Sequence, residues 1–393
     1  MKYSFDKIID RRLTGSCKWD SIDSKLLDEG VVPMTVADME FEVAPQIKSA
    51  IIKAAEHSIY GYTQTDKLYV DALSNYMKRR HDFSVSSENL ICTMGIVPAF
   101  GIVIRALTNE GDGIIIQPPV YSPFYNSIKI NNRKVLENPL LNIDGKYQMD
   151  YDGLENLCKG GAKLLMLCSP HNPVGRVWSY DELKKVGDIC TKYNVTILCD
   201  EIHNDIVYNG RKHYVLANLP GMSDRVITCT AMSKTFNLAG LMLSNIFIKN
   251  KELYKTISHQ AAKDGSGCIP YFGRAAAISA FTECDEWIDE LLNYLNNNIN
   301  ICYNFINENI RGIKCTQAEG TYLLWLDCRG LKLNDKQLEY LFYEQAKIPV
   351  NMGASFGTNG SGFVRMNVAV SKSTLNSALE RLNSVINNKE VKI

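Results

Sequence analysis

Residues Asn194–His203 read NVTILCDEIH, a short apolar run that stops abruptly at an acid. A continuous run of strand length, with no polar alternation, fits a strand buried on both faces, as in a parallel sheet. Two other stretches repeat the design: KLLMLCSPHNP (Lys163–Pro173) and RVITCTAMSK (Arg225–Lys234). Between the first two strands the spacing predicts a helix, with Ser179 as cap and Glu182 completing a capping box. Leu183, Val186, Cys190 and Tyr193 then fall on one face, and a right-handed strand–helix–strand crossover follows.

The alternation of such runs with amphipathic patterns extends from about Leu90 to Ser233, which predicts an α/β domain with a mainly parallel sheet. Ligands bind such sheets at the carboxyl ends of the strands. Asn172, Asp200, His203, Ser233 and Lys234 are therefore expected to converge on one crevice. Farther on, Gly273 to Ile310 carries one long helical pattern. TYLLWLDCR (Thr321–Arg329) and GFVRMNVAV (Gly362–Val370) then read as strands around a glycine-rich turn, which suggests a second, smaller lobe.

The chain has 393 residues, 46% of them hydrophobic, enough for one large core or two domains. Lysine plus arginine equals aspartate plus glutamate at 43 each, so no basic surface points to nucleic acid or to an anionic membrane. The partners expected are small molecules and other copies of the chain. Twelve cysteines occur without a C-x-x-C pair, several inside apolar runs, which reads as a reducing, cytoplasmic setting without disulfides or a metal site. The N-terminal stretch lacks the apolar core of a signal peptide, and the uncharged, apolar stretch Asn89–Ile104 is too short to span a bilayer.

Several residues could carry chemistry. Lys234 stands among small and apolar neighbours in CTAMSKTFNLAGL (Cys229–Leu241), either as a desolvated nucleophilic amine or as a surface lysine whose stem covers apolar groups. Asp200 either caps a turn or faces the nitrogen of an aromatic heterocycle and keeps it protonated. Asn172 begins an Asn-Pro turn or offers its amide to a ring oxygen. Gly95, Ile96 and Val97 open an apolar helical pattern whose free N–H groups suit a phosphate, although ordinary turn geometry also explains a glycine there. Tyr121 either stacks on a ligand ring or packs in the core. Arg365, the one charge in its strand, needs an anion: a substrate carboxylate or a structural acid.

Taken together, HNPVGR, CDEIH, SKTFNLAGL and FVRMN, in this order and spacing, resemble the fold-type I pyridoxal-phosphate enzymes of the aminotransferase class I and II superfamily. VADMEF, YGYT, GIVPAF, PPVYSPF and DEIHND narrow the resemblance to its cystathionine β-lyase, or C–S lyase, branch. The resemblance implies a three-layer domain with a mainly parallel, mixed seven-stranded sheet over residues 46–285. It implies a smaller α+β domain from residues 1–45 and 286–393. Lys234 would bind pyridoxal 5'-phosphate covalently, Asp200 pair with its ring nitrogen, Asn172 contact its phenolic oxygen and Tyr121 stack on the ring. Gly95, Ile96, Val97 and Ser233 would hold the phosphate, and His203 would join the cofactor site. Tyr60 would reach in from the other subunit of a homodimer, and Arg365 would take the substrate α-carboxylate.

Two departures from the transaminase pattern bear on the reaction. Met242 stands where an arginine is usual eight residues after the lysine, and His203 where a tyrosine is usual three after the aspartate. Both are similar to the C–S lyase branch, so the expected reaction is β-elimination from L-cystathionine or a related L-cysteine S-conjugate, giving pyruvate, ammonia and a thiol. The alternatives are an aminotransferase and a cofactor-binding regulatory or scaffold protein without turnover.

Overall fold

A computed structural model describes residues 2–387. Seven strands form its large sheet: β1 (Leu90–Thr93), β2 (Gly113–Ile116), β3 (Lys134–Glu137), β4 (Leu164–Cys168), β5 (Thr196–Asp200), β6 (Val226–Ala231) and β7 (Ser244–Ile248). Their order is β1-β7-β6-β5-β4-β2-β3, and β7 alone runs against its neighbours. The sheet is therefore mixed but mainly parallel.

Strand alternation divides the core into two layers around the sheet. Ile114, Ile116, Leu164, Met166, Leu198, Ile227 and Ile246 point to one side. There they pack on the helices α1 (Ile96–Leu107), α2 (Pro123–Ile130) and on Ile257 and Ala261 of Lys251–Lys263. Ile115, Leu165, Leu167, Ile197 and Cys199 point the other way, into the larger core that contains Leu154, Leu183, Val186 and Cys190. Both faces are covered, which is why these strands read as unbroken apolar runs.

The predicted crossover helix spans Tyr180–Lys192, labelled α3. The Ser179 hydroxyl accepts from the Glu182 N–H at 3.2 Å, and the Glu182 carboxylate accepts from the Ser179 N–H at 2.8 Å. Such a cap contributes about 1 kcal/mol.

The single helix expected from Gly273 to Ile310 is two: Tyr271–Glu283 and α4 (Asp285–Asn309), with Cys284 between them outside helical geometry. The apolar pattern continues across the break, so periodicity alone could not show it. The small sheet follows, in the order β8-β9-β11-β10, from β8 (Lys314–Cys315), β9 (Leu323–Asp327), β10 (Asn351–Met352) and β11 (Phe363–Asn367). The predicted strand pair is β9 and β11, antiparallel, with Trp325 opposite Arg365.

The N-terminal segment packs on this second lobe. Val32 and Met34 donate backbone N–H groups to Lys347 and Pro349, and Glu40 donates to Ala369. Tyr294 of α4 donates its hydroxyl to Asp6 at 2.5 Å. Met1 and residues 388–393, which the sequence reading assigns to the small domain, lie outside the described residues. Among the described residues no helix is long and apolar enough to cross a membrane.

Candidate active site

The parallel strands deliver their carboxyl ends to one edge of the sheet. Cys168, Asp200 and Cys229 stand in register across β4, β5 and β6, so the loops that follow start at the same height. A cavity of about 200 Å³ lies there, lined by Tyr121, Asn172, Asp200, His203, Lys234 and Arg365, together with Val36, Ala37, Cys168, Ile202 and Asn351. Six residues singled out from the sequence thus share one space. The small lobe supplies Asn351 and Arg365 and the N-terminal segment supplies Val36 and Ala37, so the walls come from three parts of the chain.

Lys234 sits in a four-residue helical turn, Met232–Thr235, directly after β6. Its Nζ donates to the Ala37 carbonyl at 2.7 Å, so it is a cavity residue and not a surface lysine. Burial, reinforced by the positive charge of Arg365, pulls its pKa down to about 8. An amine in that state yields its neutral, nucleophilic form far more readily than an exposed lysine.

Asp200 closes β5 and accepts one hydrogen bond, from the Ile202 N–H at 3.2 Å. That bond is the local turn a capping aspartate would make, but it leaves most of the carboxylate open to the cavity. Burial pushes its pKa up to about 7, against the opposing pull of the Ile202 bond and of Lys234. A cationic ring nitrogen beside it would favour the charged carboxylate. His203 is buried with neither ring nitrogen hydrogen-bonded, and burial, then Lys234 and Arg365, hold it well below the usual imidazole range. It faces the cavity as a neutral ring.

Arg365 decides between its two readings. Its guanidinium donates to the Asn172 amide oxygen at 3.0 Å, the Asn351 amide oxygen at 2.6 Å and the Thr35 carbonyl at 3.2 Å. Nε has no partner, and among the described residues no carboxylate forms an ion pair with it. Burial brings its pKa down to about 10. A buried, forked cation held only by neutral acceptors is prepared for an anion from outside. Asn172 has spent its oxygen on Arg365, which leaves its NH₂ group for a ligand.

Tyr121 lines the cavity with its hydroxyl pushed up to about 12 by burial, then by the Asp200 charge, so it remains a neutral phenol. Gly95 precedes α1 with φ +99°, a conformation few residues with a side chain adopt. No side chain caps α1, so its first N–H groups stay open, as an anion site requires. Gly95, Ile96, Val97 and Ser233 do not line the cavity itself. Met242 approaches this turn, its methyl 3.2 Å from where a Cβ on Gly95 would stand. Tyr60 lies on the surface of its own chain, 56% exposed, against the rings of Tyr271 and Phe272.

Sequence reasoning missed Val36, Ala37, Cys168, Ile202 and Asn351. Ala37 acts through its backbone carbonyl, for which no side chain could signal. VADMEF carried some signal, because its acids Asp38 and Glu40 are compensated by Lys18, whose Nζ lies 2.6 and 2.8 Å from their carboxylates.

Comparison with known proteins places the chain as a whole. The family described as aminotransferase class I and II matches residues 29–382. The chain is 36% identical to cystathionine beta-lyase PatB of Bacillus subtilis over 98% of its own length and 100% of the relative's. A PLP-bound putative aminotransferase from Clostridium difficile superposes with a TM-score of 0.95 at 41% identity, over 98% of this chain and 100% of that one. Cystalysin from Treponema denticola, which contains a pyridoxal 5'-phosphate cofactor, also gives 0.95, at 38% identity, over 99% of this chain and 100% of that one. With end-to-end matches of this kind, the chain belongs to the aminotransferase class I and II family, on the branch that includes PatB.

Proposed function

We propose that the protein is a pyridoxal-phosphate-dependent C–S lyase that cleaves L-cysteine S-conjugates by β-elimination, with L-cystathionine as first candidate. The observation that carries the reading is Lys234, Asp200 and Arg365 around one cavity, the arginine with no carboxylate paired to it among the described residues. The residues present fit the cofactor. A neutral-prone lysine suits its aldehyde, a buried carboxylate its ring nitrogen, the Asn172 NH₂ group its phenolic oxygen, and the open N–H groups at Gly95–Val97 its phosphate. The unpartnered His203 ring nitrogens are two further buried polar atoms that await a ligand.

When bound, pyridoxal phosphate supplies the aromatic system that stabilises negative charge at the substrate Cα. The chain does the rest. Arg365 grips the α-carboxylate and so fixes which bond at Cα faces Lys234. The Lys234 amine takes the Cα proton as general base. Asp200, ionised beside the ring, keeps the ring nitrogen protonated, and Tyr121 holds the plane of the ring. The electron pair left at Cα forms a double bond to Cβ while the C–S pair departs with sulfur, which leaves as a thiolate, homocysteine if cystathionine is the substrate. The three-carbon remainder hydrolyses to pyruvate and ammonia.

The same reading makes the protein a homodimer. Ile59, Tyr60 and Tyr62 are 69%, 56% and 100% exposed, an apolar run that calls for a covering surface. Tyr60 would complete the site of the partner subunit. It also retains the division into a cofactor domain, 46–285, and a small domain, 1–45 with 286–393. The packing of the N-terminal segment against α4 and the small lobe supports it.

The test supplies cystathionine and cofactor with no keto acid. Sustained release of pyruvate and thiol is expected. Activity only with an added keto acid would identify an aminotransferase instead, and bound cofactor with no turnover of any amino acid would identify a binding protein.

A further inference from the structure

Lys234 occupies a turn that cannot hold itself. Met232–Thr235 is four residues long, without a side-chain cap, and so short a helix is unstable alone. Besides the bond from Lys234 Nζ to Ala37, two polar ties fix it. On one side Asn237 exchanges hydrogen bonds with the Met39 backbone and donates to the Phe41 carbonyl, which ties the turn to the N-terminal segment. On the other, the Thr235 hydroxyl donates to Asp205 Oδ2 at 2.7 Å. Asp205 belongs to the loop that follows β5, five residues after Asp200, so this second bond joins the lysine turn to the loop that bears the ring-facing acid.

Asp205 is well placed to be a fixed point. It is buried, and its Oδ1 lies 2.9 Å from His81 Nε2 and 3.4 Å from Arg80 Nε. Thr235 is 1% exposed, so water does not compete for the bond. Neither residue lines the cavity, and the β-elimination described above leaves both unused.

We infer that the Thr235–Asp205 bond is an anchor that sets the distance between Lys234 and Asp200, which makes Thr235 a positioning residue for the reaction. Three atoms must be in place at once: the base at Cα, the acid at the ring nitrogen and the ring between them. The loop 200–205 presents the acid at its start and grips the base's turn at its end. A lysine turn released from it would still fold against Phe236, which is fully buried, but Nζ would sample a wider range of positions. Misplacement by about 1 Å is enough to cost on the order of a hundredfold in rate.

The inference rests on Lys234 being the cofactor-binding base, and the test separates the two. Thr235→Val keeps the shape and removes the hydroxyl, while Asp205 keeps His81 and Arg80, so no buried charge is stranded. Thr235→Ser restores the hydroxyl. For each variant, apoprotein is mixed with pyridoxal phosphate, and the rate of capture on Lys234 and the visible circular dichroism of the bound ring are recorded. The kcat and KM for pyruvate release follow, with thermal unfolding alongside. Thr235→Val is expected to slow capture and lower kcat by about tenfold or more, weaken the dichroic band and leave KM within about twofold, with Thr235→Ser near wild type. Unchanged capture, dichroism and kcat with only a lower melting temperature would overturn the anchor, as would a serine variant no better than the valine one. Normal capture without pyruvate would sink the lyase reading while the anchor is still judged on capture and dichroism. A wild-type protein that captures no cofactor would sink both.

Discussion

Arg365 offers a sharp quantitative test, because its proposed role as carboxylate anchor can be separated from a structural one. Of the five guanidinium N–H groups, three are engaged by Asn172, Asn351 and Thr35, and Nε–H is free. A substrate carboxylate gains one charge-assisted bond at Nε–H in full, about 1.5–3 kcal/mol. A second, side-on bond at Nη2 comes only by displacing a neutral acceptor, because both Nη2 N–H groups are engaged, so it adds less, and we take about 3 kcal/mol for the pair. That corresponds to roughly a hundredfold in kcat/KM. The perturbation is Arg365→Met, which keeps the stem and removes the fork. The assay compares an L-cysteine S-conjugate with its decarboxylated cysteamine analogue on both proteins. Wild type should prefer the carboxylate substrate by about a hundredfold, and the variant should lose most of that preference. If Arg365→Met slowed both substrates by the same factor, the arginine would be holding the site together and not reading the carboxylate.

Other outcomes follow from the same geometry. Asp200→Asn should bind cofactor yet lower kcat by about a hundredfold or more, measured by pyruvate release; turnover near wild type would remove the acid from the mechanism. Burial and then Arg365 place Lys234 at about 8, so the ammonium is the disfavoured form and the reactive amine accumulates early. Capture of pyridoxal phosphate by apoprotein should therefore rise with pH through about 8 and level off, whereas a rise continuing beyond about pH 9.5 would signify an ordinary exposed lysine. Lys18, whose side chain is 0% exposed, joins Asp38 and Glu40, and Arg11 joins the same two acids. Lys18→Met should cost about 3 kcal/mol in urea unfolding, the lower end for breaking a buried pair because Arg11 remains. A loss under about 1 kcal/mol would show that the cluster carries little stability.

The large sheet was legible because its strands obey a simple rule. A strand covered on both faces is apolar throughout, and a charge or an amide first appears at its end or in the turn just after it, so Asp200, Asn172 and Lys234 marked the candidate functional edge. The capping box at Ser179 was legible for a similar reason, since its two bonds join residues three apart. What was not legible depends on distant backbone. The Ala37 carbonyl reaches Lys234 across 197 positions, and Asn351 meets Arg365 through strand pairing in the small sheet. The break at Cys284 escaped because apolar spacing continues on both sides of it. Arg365 could be read as needing an anion, but only the folded neighbours show that its partners are all neutral.

The carbonyl of Ala37 receives two donors, Lys234 Nζ at 2.7 Å and the Tyr322 hydroxyl at 2.9 Å. A carbonyl oxygen has two lone pairs, so neither donor excludes the other. In the proposed reaction the lysine would swing away without stranding the oxygen, because the tyrosine stays. The usual penalty for baring a buried acceptor, about 1–3 kcal/mol, does not arise. On the proposed mechanism Ala37 is thus a berth that the amine would leave and re-enter on every cycle with its mooring already kept by another hand.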